Sequence, residues 1–71
     1  MDKLQAGLYR HYKGAEYQVL YTARHSETEE WLVVYRQCYG DEAVWVRPLE
    51  MFTEQVIDNQ GQAKPRFTLI D

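Results

Sequence analysis

Glu16-Tyr17-Gln18-Val19-Leu20-Tyr21-Thr22-Ala23 decides how this chain is read. Tyr17, Val19, Tyr21 and Ala23 fall on one face of an extended backbone and Gln18, Leu20 and Thr22 on the other, which is the period of a strand. Downstream, Trp31-Leu32-Val33-Val34-Tyr35 is a run of β-branched and aromatic residues, as expected of a strand covered on both sides. Residues 43–47 form a short strand stopped by Pro48, which cannot donate to a ladder. Residues 7–12 supply a first strand and 66–70 a last one. The punctuation agrees: Lys13-Gly14-Ala15 is a tight turn, residues 25–30 a polar connection, 39–42 a second turn, and 59–65 the longest polar loop. Ser26-Glu27-Thr28-Glu29 has capping-box spacing, but the strand-like run after it makes a polar turn the better reading.

Only one segment has helical spacing. From Pro48 to Val56 the apolar residues stand at 49, 52 and 56. Pro48 suits the first helical position, and Glu50 in the first turn suits the helix dipole. The expectation is therefore a single all-β, mainly antiparallel domain over residues 1–71. It is a small, SH3-like, partly open barrel of about five strands at 7–12, 16–24, 31–37, 43–47 and 66–70. A helical turn near 49–55 plugs one end. Val19, Val33, Val46, Phe52 and Phe67 are the expected core, with Trp31 or Trp45 at least half buried.

Composition bounds the possibilities. A domain of this size buries only about 60–65% of the surface its unfolded chain exposes. Six Tyr, two Trp and two Phe among 71 residues offset that limit, because aromatics bury much area for little rotamer entropy. The single cysteine, Cys38, excludes an internal disulfide and reads as a small, half-buried apolar residue. Met1-Asp2-Lys3-Leu4-Gln5 lacks the basic start and apolar run of a signal peptide. No stretch approaches the ~18 apolar residues of a membrane helix, so the chain reads as cytoplasmic, with no membrane partner. A net charge of −3 argues against non-specific phosphate-backbone binding, though not against a local basic patch.

Three polar and aromatic clusters carry the candidate chemistry: Arg10-His11-Tyr12-Lys13-Gly14, Arg24-His25-Ser26-Glu27-Thr28 and Trp45-Val46-Arg47-Pro48-Leu49-Glu50-Met51-Phe52. With Gly7-Leu8-Tyr9 before the first, Val34-Tyr35-Arg36, Tyr39-Gly40 and Arg66-Phe67, they form an ordered set over nearly the whole chain. In that set the chain resembles a bacterial family catalogued as domain of unknown function 1653. The resemblance implies a stand-alone or appended bacterial β domain and assigns no activity. Cys38 stands where that family often carries leucine, which implies an apolar slot.

An enzyme reading is weak. His25 and Ser26 are sequence neighbours, and neighbours on a strand point to opposite faces, so only a turn could make them a base–nucleophile pair. His25 or His11 with Glu27 could supply acid–base chemistry, but His25 and Thr28 fit better as turn residues that satisfy loop amides. No H-x-x-x-H, H-x-H or C-x-x-C spacing suggests a metal, and no motif calls for a cofactor. Arg10, His11, Lys13, Arg47 and Arg66 could converge on an anion, since an arginine fork recognises carboxylate or phosphate with two parallel bonds. Otherwise they pair with carboxylates such as Glu27, Glu29, Glu50 or Glu54. Tyr9, Tyr12, Tyr39 and Trp45 could form an aromatic shelf for a peptide, and an open strand edge could accept a further strand. The expectation is a non-catalytic binding module for a protein partner, monomeric or weakly dimeric. Arg10, His11, His25, Ser26, Glu27, Thr28, Trp45, Arg47 and Arg66 are the candidate ligand residues. Arg47, with Arg10 or His11 and the turn from His25 to Thr28, is expected to line the main concave surface. Nucleic-acid or nucleotide binding is the alternative, and a small hydrolytic enzyme follows it.

Overall fold

The structure, a computed structural model, describes residues 4–71. Met1-Asp2-Lys3, within the stretch read for a targeting signal, lie outside the described residues. Seven strands and one short helix follow in order: β1 (Gly7–His11), β2 (Glu16–Arg24), β3 (Trp31–Gln37), β4 (Val44–Pro48), α1 (Leu49–Thr53), β5 (Gln55–Ile57), β6 (Ala63–Pro65) and β7 (Phe67–Leu69). Five of them make one antiparallel sheet in the order β4-β3-β2-β1-β7, and β5 and β6 make a separate hairpin. The sheet does not close: β4 and β7 are its two edges. The all-β, antiparallel, partly open domain expected from the alternation is the one formed, and no helix is long and apolar enough to cross a membrane.

Pro48 explains how strand passes into helix. Its φ of −53° and ψ of 138° keep it extended while presetting the φ that the next turn needs. The helix then lasts five residues and turns Phe52 inward. Phe52 stacks parallel on Phe67 with ring centroids 4.0 Å apart, and Tyr9 meets it edge-on at 5.6 Å. These rings, with Val19, Val33 and Tyr35, are the buried core on the sheet's inner face. Arg66 fastens this plug. Its Nε donates to the Met51 carbonyl at 3.1 Å, its Nη2 pairs with Glu54, and its backbone N–H donates to the Glu54 carbonyl.

Five expectations are corrected. Tyr21 does not share a face with Val19. A bulge between Val19 and Tyr21 shifts the register, as an extra residue in one strand does, and Tyr21 turns outward, 66% exposed. Val46 is not core. It pairs with Val34 on the outer face of edge strand β4 and is 59% exposed. Cys38 is exposed rather than half buried. The 59–65 segment is not simply a loop, and the helix stops at Thr53, because Glu54 is extended (φ −71°, ψ 158°) and leads into the β5–β6 hairpin. Asp58 folds that hairpin: its Oδ1 accepts from the N–H groups of Gln60 and Gln62, each at 2.9 Å.

Candidate functional site

β1 divides the first cluster between two faces. Arg10 and His11 are consecutive on a strand, so their side chains diverge. Arg10 aligns with Glu16 and Thr68, and its Nη2 donates to Glu16 at 2.8 Å. His11 aligns with Phe67 and meets that ring edge-on at 4.9 Å. Its Nδ1 accepts the Lys13 N–H at 3.2 Å, so the ring's proton lies on Nε2. Burial first, and then the charges of Arg66, Arg47 and Lys13, hold the His11 pKa below its ordinary value.

β4 brings two more candidates to the inner face. Its register sets Trp45 beside Tyr35 and Arg47 beside Val33. Trp45 is 53% exposed, and its indole N–H donates to Gln37 at 3.0 Å. The Arg47 guanidinium carbon lies 5.8 Å from the centre of the Phe67 ring. Tyr17 approaches the same ring edge-on at 5.6 Å. Its hydroxyl hydrogen-bonds that of Tyr39 at 2.9 Å, and burial, followed by this bond, pushes the Tyr17 pKa up to about 12. Phe67 is thus a floor around which His11, Tyr17 and Arg47 converge, with Tyr39 alongside.

Arg47 differs from the other arginines. Arg10 pairs with Glu16, Arg24 with Glu29, Arg36 with Glu42 and Arg66 with Glu54. Arg47 has no ion-pair partner among the described residues. Its Nε is buried without a hydrogen bond. Among the described residues the two Nη groups make no hydrogen bond either, and they are not enclosed as the Nε is.

The remaining candidates sit apart. The turn from His25 to Thr28 closes the β2–β3 hairpin at the end of the sheet away from His11. There the His25 Nδ1 accepts the N–H groups of Glu27 and Thr28, at 3.1 and 3.3 Å. That nitrogen organises the turn and is not directed at Ser26. Arg66 is committed to Glu54 and Met51, with its charge still close enough to act on His11. A shallow groove of about 300 Å³ passes Arg10, His11, Tyr12 and Lys64, and a wider one of about 600 Å³ lies between Tyr12 and the β5–β6 hairpin. Neither is lined by Arg47. Tyr17 and Phe67 were not singled out as site residues in the sequence. The period-2 spacing of Tyr9 and His11, opposite Tyr17 in the antiparallel partner strand, is the signal that could have grouped them.

Fold and site together define a small open β domain in which an arginine without an ion-pair partner among the described residues lies over an aromatic floor. The chain belongs to the DUF1653 family of proteins of unknown function, whose model matches residues 7–69. The crystal structure of a family member from Bordetella bronchiseptica is similar to it, with a TM-score of 0.86 and 37% identity over 96% of this chain and 88% of that one. No curated protein matches the chain.

Proposed function

We propose that this chain is a non-catalytic binding module that engages a protein partner through the surface around Arg47, His11, Tyr17, Tyr39 and Trp45. One observation carries the reading: among the described residues Arg47 stays unpaired where the other arginines find carboxylates. A buried donor without an acceptor costs about 1–3 kcal/mol, so stability alone is a poor reason to keep this side chain here. Aromatic residues and arginine are the types enriched at the energetic hot spots of protein interfaces.

Nucleic acid or a nucleotide is the second reading, favoured by the positive potential that Arg66, Arg47 and Lys13 together exert at His11 despite the net acidity of the chain. The test is Arg47→Lys, with Arg10→Lys as the control on the opposite face. Each is compared with wild type by thermal melting and by quantitative affinity capture from cell lysate. Arg47→Lys is expected to keep the wild-type midpoint and lose captured proteins, because lysine cannot reproduce the planar fork. Arg10→Lys should retain them. An early-melting Arg47→Lys that captures the same proteins makes Arg47 scaffold. Captured nucleic acid, lost steeply with added salt, selects the second reading.

A further inference from the structure

The surface around Arg47 offers an oxyanion a particular balance of charge. Arg66 is close, but its guanidinium donors are held by Glu54 and the Met51 carbonyl. Arg10 and Glu16 neutralise each other on the other face. Lys13 belongs to the β1–β2 turn, exposed and 5.7 Å from the Tyr12 ring centre, where water screens it. The site therefore presents one guanidinium whose donors are not held by another described residue. The Arg47 Nε is shut away from solvent, which leaves only the edge carrying the two Nη groups for a ligand. Tyr17 approaches the same Phe67 ring, its hydroxyl joined to that of Tyr39, and the exposed Trp45 ring stands two residues before Arg47 on the same face of β4.

We propose that the group seated at Arg47 is a carboxylate, bound end-on by the two Nη groups, and that it belongs to a peptide carrying an aromatic or large apolar side chain beside it, which packs on Trp45 and Tyr39. This rests on the module reading above. A carboxylate is planar and singly charged, and it matches one two-pronged edge. A phosphate chain is tracked by several unpaired cations along a groove, whereas four of the five arginines are already paired. The neutral neighbours act in the same direction. His11 keeps its Nδ1 on the Lys13 amide and adds no second charge, and the one tyrosine O–H that the Tyr17–Tyr39 bond leaves free can donate to oxygen without requiring a dianion.

The probes are N-acetyl-tryptophan, acetyl-Asp-Trp-amide, N-acetyl-tryptophanamide and adenosine monophosphate. Each is titrated into the full chain while the Arg47 Nε–H and Trp45 Nε1–H signals are followed by NMR. Saturable shifts at both residues are expected with the two carboxylates. Their relative affinities report whether a chain terminus or an acidic side chain is preferred. The amide should bind at least ten-fold more weakly. In Arg47→Lys the preference for carboxylate over amide should vanish, and Tyr39→Phe should reduce affinity a few-fold. Equal binding of N-acetyl-tryptophan and its amide overturns the proposal, as does tighter binding of adenosine monophosphate than of either carboxylate. The wild-type comparison needs no variant, so an unstable Arg47→Lys does not blunt it. If Arg47-dependent protein capture persists while every carboxylate fails to shift Arg47, the module stands and the carboxylate falls. If the carboxylates bind and no protein is captured through Arg47, the converse holds.

Discussion

The two histidines solve the same local problem and differ in their surroundings. Each offers Nδ1 to a backbone N–H two residues ahead, Lys13 for His11 and Glu27 for His25. His11 does so against Phe67 and among cations, which lowers its pKa from the ordinary 6.5. A proton on Nδ1 would also cost the Lys13 hydrogen bond. The folded state therefore binds this proton less readily than the unfolded chain does. Its contribution to stability is present above about 6.5 and is lost as pH falls through the lowered folded value. Chemical denaturation between pH 7.5 and 5 should show wild type losing stability with acid more steeply than His11→Gln. Parallel pH profiles would mean that His11 does not carry the linkage.

Among the elements, α1 and the β5–β6 hairpin have different supports. The helix is five residues long and has no side-chain N-cap bond, so its stability is tertiary. It depends on Phe52 entering the Tyr9, Tyr35 and Phe67 rings. Phe52→Ala should cost about 3–5 kcal/mol, a large part of the ~5–15 kcal/mol a domain possesses. Urea denaturation measures it, and an unchanged midpoint would show that α1 is not the plug. The hairpin is organised locally by the Asp58 carboxylate. Its bonds to the Gln62 and Gln60 amides and to Lys64 lower its pKa below the usual 3.8. Asp58→Ala should speed amide exchange at Gln60 and Gln62 while the protection of β2 and β3 amides is kept. Uniform loss of protection would tie the hairpin to the global core instead.

At the scale of the whole molecule, β1 is joined to residues 70 and 71. The Leu8 N–H donates to the Asp71 carbonyl at 3.0 Å, and the Ile70 N–H donates to the Leu8 carbonyl at 2.8 Å. Gly7 makes this approach possible. Its φ is +146°, and a Cβ there would strike the Asp71 carbonyl oxygen. Gly7→Ala should combine backbone strain of about 1–3 kcal/mol with loss of this pairing. The midpoint should fall by roughly 4–8 °C per kcal/mol lost, as for domains of this size. A midpoint within 1–2 °C of wild type, on that same scale, would mean that the C-terminal strand moves aside cheaply.

Much of this architecture could be read from local pattern, because alternation, proline and glycine act over a few residues. The positions of β1, β2, β3 and β4, the strand-to-helix change at Pro48 and the burial of Val19, Val33, Phe52 and Phe67 are of this kind. Where reading failed, the cause lay across strands. The bulge after Val19 reverses the phase of Tyr21 only because β3 sets the register. Val46 is exposed because no described element covers the outer face of β4, which no residue of β4 announces. The site follows the same division. His11, Trp45 and Arg47 could be nominated from residue type. That Arg10 finds Glu16, Arg66 finds Glu54, and Arg47 lies over a phenyl ring with no carboxylate among the described residues depends on which strands lie side by side. Pairing a charge is a question of distance in space, and the chain alone does not state that distance.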